Sequence, residues 1–233
     1  MAAASRIELA PAYVLHHTPW RDSSRIYEVI TRDHGRLSLF ARGVRGPKSR
    51  LAGIMQPFVP LLLSFSLRGE AGNLSAAEAA PTGADLPPLS PADVMSGWYL
   101  NELVLKLTVR HDPQAEIYHH YHRAVTGLRG GAVVARELRL FEKRLLEALG
   151  YGLDLHTSRV ADGDEGPLGY HYGSASVATL RSLAAERLDE PAALEEARTI
   201  LRKALAACLE GRTLKTRRVA EDMRQLRNAH HME

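Results

Sequence analysis

The hydrophobic pattern changes period once along the chain, and that change divides it. Up to about residue 80 the apolar residues fall in short runs of strand character. They are Tyr13-Val14-Leu15, the β-branched stretch Ile26 to Thr31, the alternation of Leu37, Leu39 and Ala41 with Ser38, Phe40 and Arg42, the run Phe58 to Leu67, and Leu74 to Glu78. Turn residues separate them, at Asp33-His34-Gly35 and at Arg68-Gly69-Glu70-Ala71-Gly72. Five short strands in so little chain predict a small closed barrel, for which the five-stranded OB barrel is the first expectation and an SH3-like barrel the alternative.

From residue 81 the grammar is helical. Pro81, Pro87, Pro88 and Pro91 punctuate a polar linker over 81–90, and Ser90-Pro91 reads as an N-cap followed by a first-turn proline. Helices are predicted at about 91–110, with Val94, Trp98, Leu103 and Leu107 inward, and at 114–129, 133–149, 176–187, 191–210 and 216–229. The third has the plainest stripe, Val134, Leu138, Phe141, Leu145 and Leu149, closed by Gly150; Gly211 closes the fifth. Residues 153–175 are glycine-rich and irregular, with a short strand pair as one reading. The expectation is therefore α+β: a barrel domain over 1–80, a linker over 81–90 and a helical domain over 91–233.

Charge sharpens this picture. The net charge is +3, but residues 1–80 carry 10 basic and 6 acidic groups, residues 81–197 carry 11 and 17, and residues 198–233 carry 9 and 4. Two basic ends flank an acidic middle, which favours a polyanion site at one end or both. The densest stretch is Arg42-Gly43-Val44-Arg45-Gly46-Pro47-Lys48-Ser49-Arg50, on a glycine- and proline-broken loop between two strands. Cations that dense gain little from one another and suit a nucleic-acid backbone, where each neutralised phosphate releases counterions. Arg42, Arg45, Lys48 and Arg50 are the first candidates for DNA contact, and Arg21, Arg25, Arg32 and Arg36 a second rank. Tyr13, Trp20, Tyr27 and Phe40 are the aromatics available to stack bases, with Phe40 or Tyr27 expected to be partly core.

Catalytic signatures are missing. Pro47 stands where a phosphate-binding P-loop needs glycine before its lysine, and there is no nucleophile elbow, strand-end acidic pair or dinucleotide fingerprint. His119 and His122 share a helix face, yet no further ligand is placed to complete a metal set; His16-His17 and His230-His231 are weaker still. The single cysteine, Cys208, excludes an internal disulfide and reads as a buried thiol. No cofactor, metal or enzymatic activity is expected. No apolar stretch is long enough to span a bilayer, and Met1 to Ser5 has no hydrophobic signal core, so a cytoplasmic, nucleoid-associated protein is the expectation.

A set of short motifs in order resembles the bacterial RecO family of DNA repair proteins. They are Tyr13-Val14-Leu15-His16, Trp20-Arg21-Asp22-Ser23-Ser24, the Thr31 to Gly35 turn, Ala41-Arg42-Gly43-Val44-Arg45 with Lys48-Ser49-Arg50-Leu51, Gln56-Pro57-Phe58 and Ala77-Glu78. Tyr99-Leu100-Asn101-Glu102-Leu103, Phe141-Glu142, Leu145-Leu146, Leu149-Gly150-Tyr151-Gly152 and Leu214-Lys215-Thr216-Arg217-Arg218 follow. The resemblance implies an OB domain and a helical domain, binding and annealing of single- and double-stranded DNA, and capture of the acidic C-terminal tail of the single-strand-binding protein SSB. It also implies work with RecR, often with RecF, to load RecA on SSB-coated DNA. Some members carry a four-cysteine zinc site in the region of 153–175, where this chain has only His156 and His171, and Thr216 stands where serine is usual. Glu102 and Glu142, in two of these motifs, are expected to have structural partners such as an arginine of the same domain.

A pocket for the implied acidic tail should join cations to apolar surface. Arg139 is the first candidate, with Arg136 and Lys143 beside the Leu138, Phe141, Leu145 stripe and Arg123 on the preceding helix; intrahelical pairs to Glu137, Glu142 and Glu147 are the competing use of these cations. The alternatives to a DNA-binding mediator are an adaptor that recognises an acidic peptide and an RNA-binding OB module.

Overall fold

In the computed structural model, the structure describes residues 5–46, 49–82, 85, 87–153, 155 and 176–230. Lys48, the segment 156–175 with His156 and His171, and His231 lie outside the described residues. The chain forms two compact units, one of residues up to Pro91 together with Thr108–Gly130, the other of Ala92–Leu107 together with the chain from Gly131 onward.

The first unit is built on strands β1 (Ser5–Trp20), β2 (Ser24–Thr31), β3 (Gly35–Ala41), β4 (Leu61–Arg68) and β5 (Ala71–Ala79), with the short helix α1 (Arg50–Ile54) between β3 and β4. They close in the order β1-β2-β3-β5-β4, with β4 returning to pair with β1 and β3 lying parallel to β5. That Greek-key order is the OB fold and not the SH3-like alternative. The barrel fills because alternate residues point inward: Val29 and Tyr27 from β2, Leu37, Leu39 and Ala41 from β3, and Leu61, Leu63 and Phe65 from β4 are all buried. Met55, just after α1, plugs the same core. β1 is longer than the Tyr13 to Leu15 run suggests, because irregularities in its pairing at Ile7/Ala10 and Val14/His16 let one strand serve two neighbours.

Helix α3 (Ala115–Arg129) belongs to this unit, whereas the sequence pattern places it in a helical domain beginning at 91. The reason is an aromatic cluster: Tyr13 of β1 packs edge-on to Tyr121 at 5.0 Å between centroids, lies 5.8 Å from Tyr118, and makes a 2.7 Å hydrogen bond with Nδ1 of His122. Burial, then the neighbouring His119, pushes the His122 imidazole below its usual range, which suits a neutral hydrogen-bonding ring. His122 is thus a packing residue. Among the described residues no group of three histidine, cysteine or acidic side chains is arranged to hold a metal.

Upstream of α3, residues 108–112 run beside β3, where His111 N donates to the Arg36 carbonyl at 3.0 Å. Gly35 is required there: its φ is +66°, and a Cβ would come within 2.2 Å of the Asp112 carbonyl oxygen.

The second unit comprises α2 (Val94–Leu107), α4 (Val134–Ala148), α5 (Val177–Ala184), α6 (Pro191–Cys208) and α7 (Lys215–His230). Helix α2 starts at Val94, after a turn over 91–93, three residues later than a first-turn proline at Pro91 implies. Its buried face is Gly97, Tyr99, Leu100, Asn101, Leu103 and Val104; of the expected inward residues Leu103 is buried, while Val94, Trp98 and Leu107 are half-buried. Helix α4 ends as its sequence predicts, with Gly150 at φ +82° and Tyr151 N donating back to the Leu146 carbonyl at 2.8 Å. Ser176 caps α5, its hydroxyl accepting from the Thr179 amide. Cys208 is half-buried rather than fully enclosed, and burial pushes its thiol up. No helix among the described residues is long and apolar enough to cross a membrane.

One ion pair makes this unit acid-sensitive. The Arg144 hydrogen bonds, helped by Lys143 and opposed by burial, hold the Glu186 carboxyl down at about 2. A depressed carboxylate stabilises the fold above its unfolded value and loses that contribution as pH falls toward its folded value. Thermal melts between pH 5 and 2.5 are expected to fall more steeply for the native chain than for Glu186→Gln; parallel curves would rule the pair out.

Candidate DNA-binding loop and peptide groove

The cationic loop is fixed by its least polar residue. Val44 is fully buried in the barrel core between Arg42 and Arg45, both exposed, so its burial turns the flanking cations outward. Gly43 supplies the left-handed φ of +65° that the turn demands. Arg45 then ties the loop to the β1–β2 hairpin: its amide donates to the Ser23 carbonyl at 2.9 Å and its Nη1 to the Arg21 carbonyl at 3.0 Å. Arg21, itself exposed, is brought beside Arg45 by those bonds. Arg42 lies over the Phe40 ring at 5.8 Å, and Arg50 is exposed at the start of α1.

The second-rank cations separate. Arg25 is half-buried, with Nη1 3.5 Å from the Tyr27 hydroxyl. Arg32 pairs with the adjacent Asp33. Arg36 is committed inside the unit: it pairs with Glu28 at 3.0 Å and donates to the Thr108 hydroxyl and carbonyl. Arg110 and the Ser38 hydroxyl complete the set around Glu28. Burial works to raise the Glu28 carboxyl, but Ser38, Arg110 and Arg36 outweigh it and hold it below the usual range. Nothing in the sequence pattern marked Arg110 as Glu28's partner, because they are 82 residues apart.

In the helical unit a groove of about 520 Å³ runs between α2, α4, α6 and α7. Met95, Val134, Leu138 and Leu194 give it apolar walls, and Arg139, Arg198, Arg202 and Arg217 line it with cations. Of the α4 candidates only Arg139 is here. Arg136 pairs with Asp189, and Lys143 pairs with Glu147 and Glu186. Arg123 is exposed on α3, in the barrel's unit. The 3–4 spacing does put Arg136, Arg139 and Lys143 on one side of the helix, but each finds a different acid: Arg136 is drawn to Asp189, Lys143 to Glu147 and Glu186, and Arg139 to Glu142.

Glu142 is the hub of the groove's inner wall. Its Oε1 accepts from the Tyr99 hydroxyl at 2.6 Å and from Arg139 Nη2 at 2.6 Å, while Arg217 Nη2 donates to the same tyrosine oxygen at 3.1 Å and lies over its ring. Burial pushes the Glu142 carboxyl up against the opposing pull of Arg139 and Tyr99. Glu102 works differently. Its two oxygens accept the Lys215 amide, the Thr216 amide and the Thr216 hydroxyl at 2.6–2.9 Å, so it caps the start of α7 and sets the position from which Arg217 reaches the groove. Burial opposes those bonds, which prevail and hold the Glu102 carboxyl low. The hydroxyl that threonine shares with serine is the atom used.

Sequence comparison covers both units. The model of the recombination protein O N-terminal domain matches residues 6–82, and that of its C-terminal domain matches residues 90–218. The DNA repair protein RecO of Methylococcus capsulatus is 37% identical over 227 residues, 91% of this chain and 93% of its own. That of Nitrosococcus oceani is 38% identical over 240 residues, 96% of each chain, and that of Dechloromonas aromatica 34% identical over 248 residues, 97% of this chain and all of its own.

Proposed function

Because this chain belongs to the RecO family of DNA repair proteins, we propose that it acts as a recombination mediator with two working surfaces. The barrel and its cationic loop hold single- and double-stranded DNA and anneal complementary single strands. The groove of the helical unit takes the acidic C-terminal tail of SSB, and with RecR the protein helps RecA onto SSB-coated DNA in the cytoplasm. It does this without enzymatic chemistry or cofactor.

The observation that carries this reading is the division of labour between cations. On the barrel, Arg42, Arg45 and Arg50 are exposed on a loop that a buried valine pins in place, which suits sequence-independent contact with phosphates. In the helical unit, four arginines surround an apolar groove, which suits a peptide with acidic residues and an apolar end. Two strands held with their charges neutralised can pair without further help from the protein.

The test uses the groove. Arg139 is a poor probe alone, since removing it also strips Glu142 of its ion-pair partner. Arg198 and Arg202 are better, for Arg198 is half-buried and among the described residues pairs with Glu195 of its own helix, and Arg202 approaches Glu221 no closer than 3.9 Å. The Arg198→Ala/Arg202→Ala double variant should bind an acidic SSB-tail peptide more weakly by roughly 1.5–3 kcal/mol, as expected for losing charged hydrogen bonds, measured by fluorescence anisotropy. It should still anneal bare complementary strands while losing annealing of SSB-coated ones. Failure of the native protein to anneal bare strands would sink the mediator reading and leave a peptide-binding adaptor; preference for single-stranded RNA in competition would point to an RNA-binding module.

A further inference from the structure

Among the aromatics of the barrel, one is placed to meet a ligand. Tyr13 and Tyr27 are fully buried, Phe65 is buried in the core, and Phe40 is half-covered with the Arg42 guanidinium over its ring. Trp20 is 46% exposed and its ring has no aromatic partner among the described residues. Lone exposed apolar residues such as Leu9 and Val109 are ordinary on protein surfaces, so exposure alone assigns nothing to Trp20. Its surroundings do.

The strand register puts Trp20 opposite Ser24, Thr18 opposite Ile26, and Ile26 opposite Phe40. Leu37, Leu39 and Ala41 point into the barrel, so Phe40 and Ile26 point out, and the period of two carries Thr18 and Trp20 to the same outer face of β1–β2–β3. In an OB barrel, the outer face of strands two and three and the loop between strands one and two receive oligonucleotides. Trp20 stands where that face meets that loop. The next residue, Arg21, is exposed at φ +51° and its carbonyl is held by Arg45, so the indole is followed directly by the cation cluster.

We propose that Trp20 is the base-stacking residue of the barrel and gives it a preference for single strands over duplex, its indole taking an unpaired base while Arg21, Arg42 and Arg45 take the flanking phosphates. Phosphate contacts cannot provide that preference, because duplex and single strand both present phosphates. A base in a duplex has both faces covered by its neighbours, whereas every unpaired base has a face free to stack. The inference rests on the DNA-binding reading of the loop.

The experiment compares the full chain with its Trp20→Ala variant on a single-stranded oligonucleotide and on a duplex of the same length, by anisotropy at one salt concentration. Trp20→Ala should lower single-strand affinity roughly 5- to 100-fold, the range for loss of one base–aromatic stack, with duplex affinity changed less than about twofold. In a Trp98→Phe background Trp20 is the sole indole of a chain with two tryptophans, and its emission should be quenched by the single strand and not by the duplex. Equal loss on both DNA forms, or unchanged binding with an unquenched indole, overturns the assignment while leaving the loop's role standing. Native protein that binds neither DNA form overturns both together, and retained Trp20→Phe binding to single strands is the expected signature of a ring rather than of the indole N–H.

Discussion

Replacing Arg42, Arg45, Lys48 and Arg50 together with alanine is expected to flatten the salt dependence of DNA binding by a slope of roughly three to four units. About four phosphate contacts are removed, each worth about 0.7 of a unit on a single strand and 0.9 on a duplex. Between 50 and 200 mM salt that difference amounts to roughly two orders of magnitude in how far affinity falls. Folding should persist, because Val44 remains to anchor the loop and exposed charges contribute little to stability. Arg36→Ala is the contrasting variant. It should leave the salt slope unchanged and destabilise the barrel by about 1–3 kcal/mol, since Glu28 would lose a partner in a site where both side chains are largely enclosed. An unchanged slope in the quadruple variant would place the DNA path on another surface.

Arg36 and Arg42 show what the sequence could and could not convey. Both are outward-facing arginines on or just beyond the same strand, and nothing in the local pattern separates them. The difference is Glu28 on the neighbouring strand and Thr108 from a distant segment, and only the closed fold brings those to Arg36. The barrel is legible because β3 and β4 bury alternate residues and glycines mark the turns at Gly35 and Gly69, which are local signals. Helix boundaries are legible where a glycine takes a left-handed φ, as at Gly150, and less so at Ser90-Pro91, where a turn over 91–93 comes before the helix. The placement of α3 with the barrel depends on Tyr13 meeting Tyr118, Tyr121 and His122 across more than a hundred residues. The groove suffers the same limit. Arg139 was visible beside an apolar stripe, but Arg198, Arg202 and Arg217 come from two other helices whose packing no periodicity encodes. The family motifs at Glu102 and Thr216 are visible as residues, yet their connection as a carboxylate capping a helix appears only when the chain folds back across a separation of 114 positions.

Glu142→Ala is expected to cost the helical unit about 3–5 kcal/mol, the range for leaving one partner of a buried ion pair uncompensated, and thereby to erode the groove. The carboxylate is 1% exposed, and its Oε1 is the common acceptor for the Tyr99 hydroxyl and the Arg139 guanidinium. Alanine removes that acceptor, leaves a void between α2 and α4, and strips the Tyr99 hydroxyl, to which Arg217 donates, of the carboxylate that orients it. Glu142→Gln separates these effects, because its amide oxygen can still accept both hydrogen bonds while the charge is gone. The glutamine variant should therefore be the more stable of the two. It should also lose a pH dependence that the native residue carries: a carboxyl pushed up by burial binds its proton in the folded state first, so its contribution to stability rises as pH falls through the folded value toward the unfolded one. Urea melts of the three proteins at pH 7, and of the native and glutamine forms across pH 7 to 5, measure both effects. If the alanine variant melts like the native chain yet has lost peptide binding alone, Glu142 belongs to the recognition surface itself and not to the frame that holds Arg139 and Arg217 in place.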